Sequence, residues 1–89
     1  MKYVVFYELA DGAMALAREH FPAHRQRIDQ FHQRGELLMV GTFDDAPAGA
    51  MGVFTSRAAA EEFVADDPFV RNGVVVEPRV REWNEVLQP

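Results

Sequence analysis

The sequence predicts an α+β domain in which a four-stranded antiparallel sheet carries two helices on one face. Four short runs rich in β-branched and aromatic residues alternate with two helix-like segments in the order βαββαβ. The length of 89 residues suits a single domain, so we assign residues 1–89 to one unit. Two βαβ crossovers in one sheet must be right-handed, and the usual result is the ferredoxin-like arrangement.

The first half of the chain supplies a strand, a helix and a second strand. Residues 2–8 are rich in Val, Tyr and Phe, as strands are. Pro22 suits the first position of a helix, so we expect the first helix to run from Pro22 to Arg34 and to end at Gly35. Residues 13–20 are then expected to form only a turn or a loose helical turn. Residues 37–43 form the second strand.

The second half supplies a hairpin partner, a helix and a last strand. Residues 50–55 form the third strand, which a loop at 44–49 joins to the second. Ser56 is a good N-cap for a helix that begins at Arg57, and Pro68 interrupts that helix. A further short turn reaches Gly73, after which residues 74–81 form the fourth strand.

Both faces of the predicted sheet are apolar. In the first strand, Val4 and Phe6 lie on one side and Val5 and Tyr7 on the other. The second strand is also apolar on both sides, with Leu38 and Val40 opposite Leu37, Met39 and Phe43. Because a sheet with one wet face should alternate apolar and polar residues, we predict a homodimer packed sheet to sheet. The alternative is a monomer with a patchily hydrophobic face.

Charge and composition exclude several classes of partner. Nine basic residues stand against fourteen acidic ones, and the net charge is -5. This balance argues against binding to nucleic acid or to an anionic membrane, since both depend on a basic surface. No apolar run approaches the ~20 residues of a membrane span. The chain has no cysteine, which agrees with a cytoplasmic protein and excludes thiol chemistry.

A histidine and an aspartate interrupt the apolar stripes of the two helices. On a helical projection His24 shares a face with Ile28 and Phe31, and Asp67 continues the stripe of Phe63. In the βαββαβ layout the first turn of helix one and the last turn of helix two are neighbours, so we predict that His24 and Asp67 meet. A carboxylate bonded to one imidazole nitrogen orients the ring and leaves the other nitrogen to exchange a proton. The pair therefore predicts acid/base catalysis by proton transfer.

Two further residues at the same end of the sheet are candidates for binding a substrate. Tyr7 would supply a hydrogen bond to a substrate oxygen, and Gly41 removes a side chain where a ligand approaches the backbone. We expect no cofactor and no metal. The one spacing that suits a metal is that of His20 and His24, four residues apart, but Pro22 should start the helix after His20.

Each candidate also has a structural interpretation. Asp67 precedes Pro68 and suits the N-cap of a following turn, a role that is compatible with pairing to His24. His24 could equally be a hydrogen-bonded histidine at the edge of the core. The domain would then be a non-catalytic small-ligand-binding module or a structural dimerisation module instead of an enzyme.

Four segments resemble the YCII-related (YciI-like) domain family, and together they span nearly the whole chain. They are residues 1–5 (MKYVV), 22–24 (PAH), 35–41 (GELLMVG) and 66–70 (DDPFV) followed by Gly73-Val74. The Pro-Ala-His and Asp-Pro-Phe elements, in this order and at this distance, are fairly specific.

The resemblance implies a dimeric α+β barrel of ferredoxin-like subunits and an active site with a His-Asp pair, which falls on His24 and Asp67. A few relatives look like enzymes of aromatic breakdown, such as a dehydrochlorinase acting on chlorinated hydroxyquinols. For this chain the resemblance and the pair together suggest elimination or isomerisation of a small oxygenated, possibly aromatic-derived, compound.

Overall fold

The computed structural model describes all of residues 1–89. The strands are β1 (Lys2–Glu8), β2 (Leu37–Phe43), β3 (Gly49–Phe54) and β4 (Val80–Trp83), and the helices are α1 (Met14–Gln33), α2 (Arg57–Asp66) and the short α3 (Pro68–Arg71). All neighbouring strands are antiparallel, in the order β2-β3-β1-β4. This order confirms the predicted ferredoxin-like fold. No helix has the length and apolar character needed to cross a membrane.

The first helix begins at Met14, well before the predicted start at Pro22. Residues 14–17 read Met-Ala-Leu-Ala, and these residue types have strong helix propensities. They extend the helix past Pro22, which lies inside it without an N–H to donate. The prediction that the helix starts at Pro22 is therefore wrong, and so is the placement of His20 before it. As a consequence, His24 lies near the middle of α1 and not in its first turn.

The fourth strand is shorter than predicted and begins at Val80. Residues 74–76 still run beside the end of β1, where Leu9 and Val75 form an isolated bridge. Pro78 has no N–H and lies between this bridge and β4, where a continuous ladder would need a donor. The single strand predicted for residues 74–81 is therefore two separate pairings along β1. The third strand lies one residue earlier than predicted.

The start of α2 follows the predicted cap. The side chain of Ser56 accepts a hydrogen bond from the backbone N–H of Ala59 at 3.1 Å. The helix then packs on the sheet face that Val5 and Tyr7 present. The remaining buried members of this core are Phe31, Leu37, Phe54, Ala59, Ala60 and Phe63.

A bulge changes the predicted side-chain pattern of β2. The register shifts between Leu37 and Met39, which leaves Leu38 outside the ladder. Leu37 therefore packs in the core, whereas Met39 pairs with Val53 on the opposite face and is 65% exposed. The prediction that Leu37 and Met39 share a face is wrong. That opposite face is nevertheless apolar, and its exposed large residues include Phe6, Met39 and Trp83.

The backbones of β1 and β3 approach each other closely at Gly49. A β-carbon at Gly49 would overlap the carbonyl oxygen of Tyr7. A β-carbon at Gly41, on the neighbouring strand, would meet no atom within 4 Å. Only one of these two strand glycines is therefore required by backbone packing.

We expect Gly49→Ala to lower the free energy of unfolding by roughly 1–3 kcal/mol, the usual cost of overpacking. Gly41→Ala is the matched control and should change it by less than about 0.5 kcal/mol. Urea denaturation followed by circular dichroism measures both variants. Equal stability of the two would contradict this account of the strand pairing.

Candidate active site

The carboxylate of Asp67 is fully buried where β1, α1 and the junction between α2 and α3 meet. Asp67 has an extended backbone that ends α2, and Pro68 then occupies the first position of α3. Its Oδ1 accepts a hydrogen bond from the backbone N–H of Phe69 at 3.4 Å, so the side chain caps α3. The predicted capping interaction is therefore present, and it leaves the carboxylate available to other donors.

The structure brings His24 and Asp67 together. Nδ1 of His24 lies 2.8 Å from Oδ1 and 2.9 Å from Oδ2 of Asp67. Because an ionised carboxylate can only accept hydrogen bonds, Nδ1 carries the proton that bridges the pair. In the neutral imidazole the lone pair then lies on Nε2, which is the nitrogen free to act as a base.

Tyr7 is the third member of this cluster. Its hydroxyl donates a hydrogen bond to Oδ2 of Asp67 at 2.5 Å. Burial is the main cause that raises the pKa of Tyr7 far above its ordinary value, and the negative charge of Asp67 raises it further. The hydroxyl therefore stays protonated and remains a donor. Tyr7 was predicted to donate a hydrogen bond to a substrate oxygen. That role stays a prediction, and in this structure the hydroxyl donates its proton to Asp67 instead.

Aromatic rings fix the orientation of the His24 imidazole. Phe69 stacks on it with 3.8 Å between ring centroids and an interplanar angle of 6°. Phe63 lies edge-on to it at 6.3 Å, and Phe21 lies at 6.4 Å. Sequence reasoning missed the contribution of Phe69, although its place two residues after Asp67 in the Asp-Pro-Phe element was an available signal.

Nε2 of His24 is accessible although the residue is only 7% exposed. The atom makes no hydrogen bond within the chain, and no buried polar side-chain atom lacks a partner. Nε2 must therefore be in contact with open space. A base with this environment can contact a ligand through Nε2 while the bond from Nδ1 to Asp67 holds the ring in place.

A cavity of about 540 Å³ opens beside His24, between α1 and the strands β2 and β3. Its volume is in the range of small-molecule sites. Eleven of its sixteen lining residues are hydrophobic. Tyr7 and Gly41, the two predicted substrate-binding residues, both line it together with His24. Gly41 borders the cavity, and a β-carbon there would meet no other atom within 4 Å.

The surroundings of His20 and His24 differ. Nδ1 of His24 is engaged by Asp67, whereas Nε2 of His20 lies 3.7 Å from the carboxylate of Glu19. No group of three or more His, Cys, Asp or Glu side chains is arranged to hold a metal ion. His20 and His24 do share one continuous helix, contrary to the sequence-based expectation.

The sequence pattern of the YCII-related domain matches residues 1–84. The chain belongs to the YCII-related domain family. This assignment confirms the resemblance that the Pro-Ala-His and Asp-Pro-Phe elements carry. No curated protein matches the chain by sequence.

Solved structures of other proteins share the fold of this YCII-related domain. One is 5-chloro-2-hydroxyhydroquinone dehydrochlorinase from Burkholderia phenoliruptrix AC1100 in complex with 2,5-dihydroxybenzoquinone, with a TM-score of 0.79, 17% identity and 94% of each chain covered. A hypothetical Arabidopsis thaliana protein has a TM-score of 0.56 at 14% identity, with 99% of this chain and 89% of that one covered. An antibiotic biosynthesis monooxygenase has a TM-score of 0.58 at 19% identity, with 98% and 100% covered. At these identities the likeness shows the fold alone.

We expect Asp67→Asn to lower the free energy of unfolding by about 1–3 kcal/mol. The amide keeps the size of the side chain but replaces one of the two acceptor oxygens with an NH₂ group, so at least one of the buried donors from Tyr7, His24 and Phe69 faces another donor. Asp66→Asn is the matched control, since Asp66 is exposed and pairs with Arg71 at the surface. Urea denaturation of both variants tests this, and equal losses would show that the buried carboxylate is not a structural centre.

Proposed function

We propose that this YCII-related domain is an enzyme that catalyses proton transfer on a small oxygenated compound, with His24 as the acid/base and Asp67 as the residue that orients it. The observation that carries the proposal is the accessible Nε2 of an imidazole whose Nδ1 is held by a buried carboxylate beside a cavity. This arrangement suits general acid/base catalysis. A dehydrochlorinase with the same fold, solved with a dihydroxyquinone, supports the choice of substrate class.

The proposed step begins with a neutral His24. Nε2 takes a proton from a substrate carbon, and the electrons of the broken C–H bond are delocalised onto a conjugated oxygen. In an elimination from a chlorinated hydroxyquinol, Nε2 instead takes the proton of a ring hydroxyl in the keto tautomer. The oxygen electrons then form a carbonyl, the ring electrons form a new double bond, and chloride departs with its bonding pair. In an isomerisation the imidazolium returns the proton to another atom of the same anion. Both reactions are redox-neutral. The isomerisation regenerates neutral His24 when the proton is returned to the substrate. The elimination regenerates it when the imidazolium loses its proton to water.

Other residues support this step in the proposal. Tyr7 and the capping N–H of Phe69 hold Asp67 in place, so Tyr7 acts as a positioning residue and borders the substrate. Gly41 lets the substrate approach the backbone of β2. The proposed enzyme works without an organic cofactor or metal, and it resides in the cytoplasm, in agreement with a chain that lacks cysteine.

We expect His24→Gln to slow proton transfer by about 10²–10⁴-fold, the usual contribution of a general acid/base. The reaction is followed by NMR as deuterium incorporation from D₂O into the ring carbons of 2,5-dihydroxybenzoquinone and related hydroxyquinones. Chloride release from 5-chloro-2-hydroxyhydroquinone under anaerobic conditions measures the elimination directly.

His20→Gln is the control for this experiment, because His20 lies one turn earlier on α1 and does not line the cavity. It should react at the parent rate. An activity that His24→Gln retains in full would refute the role of His24. Saturable binding without any exchange or turnover would instead favour the non-catalytic binding module.

We also propose that a second copy of the chain covers the apolar face of the sheet. Phe6, Met39 and Trp83 are 42%, 65% and 51% exposed there, around the buried Val4 and Val53. A contiguous apolar patch on so small a domain is expected to be an interface, and a second subunit adds the burial that a short chain lacks. Two such sheets packed face to face make the barrel that the family resemblance implies.

Sedimentation equilibrium at micromolar concentration should give the mass of a dimer. Phe6→Glu should give a monomer, because it places a charge in the middle of the apolar face. Leu16→Glu is the control, since Leu16 is similarly exposed, at 40%, but lies on α1. A parent protein that sediments as a monomer at this concentration would disprove the interface.

A further inference from the structure

We propose that the cavity beside His24 takes a planar ring compound that carries an anionic oxygen group, and that Arg25 binds that group. The inference rests on the proposed function because it concerns the same site, and it adds the charge of the substrate and the residue that selects it. Neither the predicted site residues nor the family resemblance includes Arg25.

The charges that line the cavity have the opposite sign to the protein as a whole. The chain has fourteen acidic residues and a net charge of -5. None of the fourteen carboxylates lines the cavity, whereas the guanidinium of Arg25 does; His24 is neutral at the start of the proposed step and adds no charge. A concave site with a basic lining focuses positive potential and concentrates anions. Asp29 pairs with Arg25 and Asp67 with His24, but neither carboxylate lines the cavity. The cavity surface therefore presents a positive charge and no negative one, which favours an anionic ligand.

The free atoms of Arg25 suit an anionic oxygen group. Its Nε donates to Oδ1 of Asp29 at 3.1 Å, one turn further along α1. Its two terminal nitrogens make no hydrogen bond within the chain. The planar guanidinium therefore keeps one pair of N–H groups for a carboxylate, phenolate or enolate oxygen. Asp29 holds the stem of the side chain in position while these donors remain open.

The walls of the cavity suit a flat ring. Phe21, Phe43 and Phe69 line it, and Phe69 also stacks on His24. Aromatic walls favour stacked or edge-on contacts with another ring. Arg25 and His24 are consecutive residues of one helix and both line the cavity. A ring anchored through its oxygen group at Arg25 therefore remains next to the base.

The test compares two probes of equal size that differ in charge, 2-naphthoate and 2-naphthamide, by calorimetry with the full chain. We expect the parent to bind the acid at least about tenfold more tightly than the amide, as charge-assisted hydrogen bonds imply. Arg25→Gln should lose most of this preference, because it weakens binding of the acid and leaves binding of the amide unchanged. Arg25→Lys, which keeps the charge but not the fork of donors, should retain part of it.

Arg18→Gln is the matched control, because it makes the same change in net charge as Arg25→Gln. Arg18 is exposed on the same helix and does not line the cavity. It should bind both probes like the parent. Equal affinity of the parent for acid and amide, no saturable binding of the acid, or a full preference in Arg25→Gln would each overturn the inference.

The result is separable from that of the proposed function. If Arg25 sets the charge preference but His24→Gln retains full proton exchange, the anion site stands and the catalytic role falls. If His24→Gln abolishes exchange while Arg25→Gln keeps the preference for the acid, the catalytic role stands and the anion site falls.

Discussion

A fully buried carboxylate needs hydrogen-bond donors, and the groups that donate to Asp67 organise this end of the molecule. They come from three places in the chain: Tyr7 on β1, His24 on α1 and the backbone of Phe69 at the start of α3. The hydrogen bonds to this one side chain thus fix a strand, a long helix and a short helix relative to each other. The same bonds leave only Nε2 of the imidazole open, so stability and chemistry depend on one group.

Much of this arrangement could be predicted from sequence because local signals agreed with the fold. Residues 2–8 and 37–43 are rich in β-forming residues, and Ser56 is an unambiguous N-cap, so these boundaries are right. The apolar stripes on the two helices faced the sheet, as Phe31 and Phe63 show by their burial. A polar residue that interrupts such a stripe must be buried with a partner, which is why the sequence alone predicts the pairing of His24 and Asp67.

The remaining features depend on contacts between distant parts of the chain. Pro22 carries a strong local signal for a helix start, but a run of good helix formers before it prevails. A bulge at Leu38 reverses the side-chain alternation of β2, and no single residue type announces a bulge. The bond from Tyr7 to Asp67 joins residues sixty positions apart, and the stacking of Phe69 on His24 depends on how α3 lies against α1. Such contacts belong to tertiary packing.

Charge separation connects the proposed base with the proposed anion site. When a neutral imidazole takes a proton from a ring carbon, one positive and one negative charge appear in a largely apolar cavity, where unpaired charges are costly. The imidazolium forms against the carboxylate of Asp67, which is already bonded to its Nδ1. The negative charge moves onto the ring oxygen, and in the proposal that oxygen is held by Arg25. Both charges then form beside a fixed group of opposite sign, which is the preorganisation that stabilises a transition state without reorganising solvent.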